Sequence, residues 1–491
     1  MHKILKSTVI LSIGSILARV LGLLFIFYFP RYVDKEHLGF YSYCYSYLVL
    51  FLDFSLLGIP SSLQKIIVKY QETNQAMINQ LVKRVLKIVF ILSLIALLMM
   101  FLFSNLYIKK TGMLEYQLIL KRGILIILIS CVTNSLMVTL RSYFQAFNKM
   151  SVSAISLIIE QVSRILFIIL AVIFFKSNQN ILVYAALLAC TVGQLMALIY
   201  LFFSYFKNRG RNTVEVPVFI YLELVSYAFF IFLTIIFIST SNIIDAVTFK
   251  KALELHNVND ASDIYALYTF QINRILFFPI ILATSMATSL ITNAFKMDKK
   301  DIKKVLQLVF KVLFYFVVFF IFFSPKIYSL LFEHNELAFR MLKYASILIL
   351  CYGFYYIMLA LLIAFEKIKF LAPYIILSLV VKVSLNHVLI TKMSYIGAIL
   401  VNVMMYGILL FGSFFILRKY IDKWLYASFI KDALLIITSI IVTAFFFPDK
   451  ELSFFLQGLS LLSCLVVSLG ILCFFDLIWR TFVQKGLLMN R

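Results

Sequence analysis

Four cations and five acids fall inside or at the edges of long apolar stretches of this 491-residue chain, and they are the side chains able to do chemistry there. The cations are Arg19, Arg164, Arg274 and Lys382; the acids are Asp53, Glu160, Glu223, Asp245 and Asp476. Arg19 is the most telling, because uncharged and mostly apolar residues run from Ser7 to Phe29 around it. Such a stretch crosses a bilayer core of roughly 30 Å, and an arginine near its middle costs roughly 2.5–3.5 kcal/mol. A guanidinium held at that depth must meet an anion. Either Asp53 on the next stretch is its counter-ion, or the anion belongs to a substrate. Guanidinium forks suit phosphate and carboxylate bidentately, whereas Lys382 acts as a point charge. Arg19, Arg274 and Lys382 are therefore candidates to line a cavity and hold an anionic group. Glu160 and Arg164 stand four residues apart on one helix, a spacing that lets them neutralise each other. Asp245, Arg274 and Asp476 lie nearer the ends of their stretches, where snorkelling to interfacial water lowers their cost.

The elements that carry these charges are membrane helices. With 63% hydrophobic and 14% charged residues, the composition is that of an all-α polytopic membrane protein. Apolar runs predict about fourteen spans: in the first half near 7–29, 39–63, 88–108, 123–140, 152–175 and 181–206; in the second near 219–243, 266–294, 305–324, 344–365, 371–391 and 395–417; and two more near 432–448 and 452–478. The net charge of +23 follows from topology rather than from binding nucleic acid. Alternate loops hold about twice as many Lys and Arg on the side of the N-terminus, including Lys65, Lys69, Lys83, Arg84 and Lys87 after the second span. The positive-inside rule places both termini in the cytoplasm, and the basic loops attract anionic lipid head groups. Met1–Lys6 runs straight into a span too long for a signal-peptide core, so the first helix is expected to be retained. The six cysteines fall in or beside spans without paired spacing and read as packing residues.

A duplication at an offset of roughly 220 residues organises the spans. Ser156-Leu-Ile-Ile-Glu160-Gln-Val-Ser-Arg164 lines up with Ser378-Leu-Val-Val-Lys382-Val-Ser-Leu-Asn386, with polar groups on one helical face in each. Ala146-Phe-Asn-Lys149 matches Ala364-Phe-Glu-Lys367, and Tyr41 matches Tyr265. Six spans separate the copies, so the repeat is parallel. The expected organisation is an N-lobe over 1–210, a C-lobe over 211–425, and two appended helices in 426–491. A cleft between two such lobes is alternating-access geometry. Pro60 after Gly58-Ile59, and Pro279, are expected to bend helices beside it.

Enzymatic classes find no support. The chain has no GxxxxGK[ST] phosphate loop, the five histidines show no metal-ligand spacing, and no acidic pair sits on a loop to hold a metal and a nucleotide sugar. Two non-identical lobes do not make the ring of residues a channel filter needs.

Lys6-Ser-Thr-Val-Ile-Leu leading to Ala18-Arg19-Val-Leu-Gly22 resembles the opening of the multidrug/oligosaccharidyl-lipid/polysaccharide (MOP) exporter superfamily. Within it the chain is similar to the MurJ-like lipid II flippase branch, related to the stage V sporulation protein B polysaccharide transporters. Gly39-Phe-Tyr41, Gly58-Ile-Pro60-Ser-Ser-Leu-Gln-Lys65, Arg141-Ser-Tyr-Phe-Gln145, Ile159-Glu160-Gln161-Val-Ser-Arg164, Ile244-Asp245, Asn273-Arg274-Ile-Leu-Phe-Phe-Pro279, and Lys382 with Asn386 continue the likeness. The resemblance implies two six-helix lobes, a cationic cavity in which Arg19 and Arg274 engage a diphosphate, and a groove for a polyprenyl tail formed by the last two helices. The chain departs from the pattern at Phe25 and Ile26, where proteobacterial members carry an arginine and an aspartate, and near Asp53, where they carry an arginine. Asp245 and Asn386 match part of the family's sodium site, but no second acid stands in span eleven.

The function so implied is a flippase for an undecaprenyl-diphosphate-linked wall precursor, lipid II first, in a bacterial plasma membrane. No cofactor is expected. Transport would run on Na+, H+ or the membrane potential, and the partners would be the polyprenyl-diphosphate-linked glycan, the lipid bilayer and cell-wall synthesis proteins. The alternatives are a flippase for capsule, teichoic or exopolysaccharide repeat units, a drug/cation antiporter of the same superfamily, and a non-transporting scaffold of a wall-synthesis complex.

Overall fold

A computed structural model describes residues 28–70, 75–111, 116–208, 214–254, 261–294, 297–332, 334–421, 425–446 and 463–472, together with isolated positions over 14–25 and at 460–461. Its regular structure there is helical. Twelve helices among the described residues are long and apolar enough to cross a membrane, so the chain is a multi-pass membrane protein. They correspond to the second to thirteenth expected spans. Of the first span, Gly14, Leu17, Ala18, Leu21, Gly22 and Phe25 are helical, but Arg19 lies outside the described residues. Of the last span, Ser463–Leu472 forms a short apolar helix, and Asp476 lies outside.

The second span is two helices, α1 (Lys35–Leu56) and α2 (Ile59–Tyr70), separated by Leu57 and Gly58 with positive φ. Gly58 is required twice over. Its φ is +71°, and a Cβ there would lie 2.4 Å from the Ala228 carbonyl oxygen. Pro60 then fits the first turn of α2, where its missing N–H is no loss. The helices α3 (Gln75–Thr111), α4 (Gln117–Ile127), α5 (Ser130–Ala146), α6 (Met150–Phe175) and α7 (Gln179–Asn208) complete the first half. The second half runs α8 (Val218–Glu254), α9 (Ala261–Ala266), a π-turn (Leu267–Ile272), α10 (Asn273–Asn293), α11 (Lys299–Leu331), α12 (Glu336–Ala345), α13 (Ile347–Ala364), α14 (Ala372–Met393) and α15 (Tyr395–Leu417). The helix α16 (Leu425–Phe446) packs on α11, where Lys311 reaches Asp432 at 3.3 Å.

The repeat seen in the sequence reappears as geometry. Both α5 and α13 end in a residue with positive φ that is not glycine, Asn148 (φ 55°) and Glu366 (φ 60°). Lys149 N–H returns to the Phe144 carbonyl at 2.9 Å, and Lys367 N–H to the Leu362 carbonyl at 2.8 Å. These are the same helix-ending bonds at matching positions of Ala-Phe-Asn-Lys and Ala-Phe-Glu-Lys. The helices that follow pair equally: α6 packs along α7, and α14 along α15. Lipid provides no hydrophobic drive between helices, so close packing must hold them. At Gly193 a Cβ would lie 2.5 Å from the Glu160 carbonyl oxygen, which lets α7 press against the polar stripe of α6. The long α8 touches α1, α2 and α3 on one side and α14 on the other, joining the halves.

Candidate substrate site

Where α1 of the first half meets the π-turn and α10 of the second, two guanidiniums flank a stack of tyrosines. Tyr41 and Tyr45, one helical turn apart on α1, stack with centroids 5.8 Å apart. Arg164 on α6 donates from Nη2 to the Tyr41 hydroxyl at 2.9 Å, and its guanidinium lies 4.8 Å from the centre of the Phe25 ring. Arg274 on α10 lies 4.6 Å from the centre of the Tyr45 ring. Phe270 closes the floor edge-on to Tyr41 at 5.5 Å and to Phe25 at 6.1 Å. Each ring face attracts its cation and holds the guanidinium plane in place. The π-turn sets where Arg274 points, because Asn273 N–H bonds the Tyr268 carbonyl five residues back and shifts the helix beyond it. Neither guanidinium pairs with a carboxylate among the described residues.

The other charges found different neighbours from those their spacing suggested. Glu160 does not pair with Arg164 on its own helix. Its Oε2 accepts from Arg141 Nη2 of α5 at 2.8 Å, while Arg141 Nε donates to Ser156 at 2.8 Å. Arg141 crosses from α5 onto the stripe of α6, and the local pair loses to it. Asp53 accepts from the Ser239 hydroxyl of α8 and has no cationic partner among the described residues. Its proposed pairing with Arg19 lies outside them.

Lys382 does not join Arg274. It has no exposed surface, and its ammonium donates to Asp245 Oδ1 at 2.7 Å and Asn402 Oδ1 at 2.8 Å. Asn402 in turn donates to the Tyr268 hydroxyl at 3.2 Å. Asn386 donates to Thr248 at 2.6 Å, and its own Oδ1 has no partner. Asp245 and Asn386 thus do not fit a free coupling cation. The carboxylate is already neutralised by a covalently tethered ammonium, and a metal ion beside it would meet like charge. No cluster of three acid, His or Cys ligands occurs among the described residues.

At the other end of α1–α2, a second network joins the halves. Lys65 Nζ donates to the Ile363 carbonyl at the end of α13 at 2.7 Å, lies 3.3 Å from Glu366 Oε1 and sits 4.2 Å from the centre of the Tyr227 ring. Gln64 donates to the Thr288 carbonyl of α10 at 3.3 Å. Beside them Lys69 and Tyr70 bond Glu223 of α8 at 2.5 and 3.0 Å. By its place just after the second apolar run, Lys65 reads as one of the basic loop residues. Its flanks, Leu63 and Ile66-Ile67, were the signal that it sits on a buried helix face.

A protein-family description, "Polysaccharide biosynthesis protein", matches residues 4–292. The chain is 24% identical over 455 residues to "Lipid II flippase MurJ" of Bacillus subtilis (strain 168), covering 85% of this chain and 83% of that protein. Its fold is similar to a solved structure of "Lipid II flippase MurJ, inward closed conformation", with a TM-score of 0.69 at 18% identity over 96% of this chain and 100% of that one. A MOP superfamily transporter from Pyrococcus furiosus, described as having a binding pocket of reverse polarity, aligns with a TM-score of 0.61 at 12% identity over 88% of this chain and 95% of that one. A Vibrio cholerae MATE transporter in its bent form gives 0.61 at 13% identity over 86% and 100%. With the family match spanning more than half its length, this chain belongs to the polysaccharide biosynthesis protein family and has the fold of MOP transporters.

Proposed function

We propose that this protein is a flippase that carries a polyprenyl-diphosphate-linked cell-wall precursor, lipid II in the first place, across a bacterial plasma membrane. The observation that carries the reading is the Arg274 guanidinium, set on the Tyr45 ring where the two halves meet and free of carboxylates among the described residues. Such a cation suits an anionic cargo, and it repels the cationic drugs of an antiporter. Similarity to a lipid II flippase along 85% of the chain supports the choice of substrate. Arg274, with Arg19, engages the diphosphate, and residues 426–491 guide the lipid tail beside an N-lobe over 1–210 and a C-lobe over 211–425. Both termini and the Lys65 end of the bundle lie on the cytoplasmic side, so the conformation described has its halves latched there. Rocking of the halves breaks that latch and exposes the site to the inner leaflet. The membrane potential favours export, since each negative charge moved outward runs down an inside-negative potential and releases about 2.3 kcal/mol per 100 mV.

The family description favours one second reading, a flippase for another lipid-linked polysaccharide unit. Proteoliposomes holding the purified protein decide between them. Labelled lipid II that crosses faster than a teichoic or capsular lipid-linked unit supports the first reading. Transport of the latter alone supports the second, and transport of neither overturns both.

A further inference from the structure

The acids placed at membrane depth and described by the structure all take their hydrogen bonds from groups other than Arg164. Asp53 is held by Ser239, Glu160 by Arg141, Glu223 by Lys69 and Tyr70, and Asp245 by Lys382. Glu160 is the telling case. It stands one helical turn from Arg164, where the two would neutralise each other at no structural cost, yet it is turned to Arg141 at 2.8 Å. Arg164 is left with a single hydrogen bond, from Nη2 to Tyr41, out of five possible donors. Its Nε is fully enclosed and has no partner. A buried donor left unbonded is costly at this depth, and Glu160, though near enough to act on Arg164 electrostatically, gives it no hydrogen bond. Arg164 and Arg274 also lie close enough to interact electrostatically with the same Tyr41 hydroxyl, from opposite halves of the molecule.

We infer that Arg164 is a second ligand for the anionic head of the cargo, closing on a phosphate or diphosphate from the first half while Arg274 holds it from the second. This rests on the proposed function and adds to it a residue that spacing alone assigned to an ion pair with Glu160. The Phe25 ring covers one face of the guanidinium and the Tyr41 hydroxyl fixes Nη2, leaving Nη1 free to donate to a phosphate oxygen. Tyr41 has no exposed surface, so it positions Arg164 rather than binding substrate itself. Because the two cations belong to different halves, an anion between them couples its own binding to the relative position of the halves.

The full-length protein in nanodiscs provides the test, with binding measured for lipid II, for undecaprenol, which has the tail without phosphate, and for inorganic diphosphate, which has the anion without tail. Wild type is expected to bind lipid II, and R164Q to bind it at least tenfold more weakly with an unchanged melting midpoint. R164K, which keeps the charge without the fork, falls between them. Undecaprenol binding is the same in all three. Competition by inorganic diphosphate shows that the site reads the anion itself, and no competition shows that it reads the anion only on its lipid. A measurement on wild type needs no variant: lipid II, and not undecaprenol, should protect Arg164 from modification by phenylglyoxal. Equal lipid II affinity in wild type and folded R164Q, or unprotected Arg164 in the lipid II complex, overturns the assignment while leaving the proposed function standing. Failure of wild type to bind lipid II overturns both.

Discussion

Replacing Lys65 by Met tests the latch between the halves, because it keeps the apolar stem and removes only the ammonium. Three interactions disappear in K65M. The charge-assisted bond to the Ile363 carbonyl contributes about 1.5–3 kcal/mol. The cation over the Tyr227 ring adds about 0.5–1 kcal/mol. The ion pair to Glu366, whose side chain is 50% exposed, adds less than about 1 kcal/mol. An open state in which Lys65 is hydrated makes none of these, so the closed form weakens by about 2–5 kcal/mol, a population shift of about 30- to 5,000-fold. Spin labels at K149C and K369C, both on exposed positions beside the two matching helix ends, report the separation of the halves in nanodiscs. The described native cysteines are buried, and C473S removes the remaining one. Wild type should give one short distance, K65M a second and longer one, and E366Q a smaller shift of at most about fivefold. Burial on its own raises the Glu366 carboxyl, but the Tyr227 hydroxyl and the Lys65 ammonium outweigh it and hold it below the usual glutamate range. Its contribution to the latch is therefore complete above the ordinary value and is lost only as pH falls through the depressed one. The distances should match at about pH 6 and pH 8 and lengthen only below about pH 4. An unchanged distance distribution in K65M would refute the latch.

Two further perturbations probe the buried pairs. E160Q or R141M alone should lower stability by about 3 kcal/mol, because each strands a partly enclosed charge, while the double change E160Q/R141M should recover most of the loss in a thermal melt. K382M leaves Asp245 enclosed without its cation, so it should destabilise by about 3–5 kcal/mol and acquire a melting midpoint that rises with added Na+. Wild type should melt at the same temperature in Na+ and in K+, and a sodium-dependent midpoint in wild type would show that the tethered ammonium does not fill the site.

Much of the fold was legible because membrane helices advertise themselves by apolar length. Ala146-Phe-Asn-Lys149 and Ala364-Phe-Glu-Lys367 looked like a weak sequence match, yet they end their helices through the same hydrogen bonds and the same positive φ. The partners of the charges were much less legible. Spacing along one helix predicts Glu160 with Arg164, but it carries no information about Arg141 arriving from α5, which decides the outcome. Lys382 was grouped with Arg274 by charge alone, and only the approach of α8 and α15 shows that Asp245 and Asn402 enclose it. The positive-inside count treats Lys65 as a solvated loop cation, since a rule about topology does not register that two halves close over it. The π-turn before Arg274 leaves no composition signal at all, although it sets where that side chain points.

Cations from both halves are proposed to hold the anion of a lipid-linked cargo, and transport of labelled lipid II by R274Q in proteoliposomes is the direct test. R274Q, folded and with wild-type melting, should move lipid II at least tenfold more slowly than wild type. Wild-type rates in R274Q would contradict it.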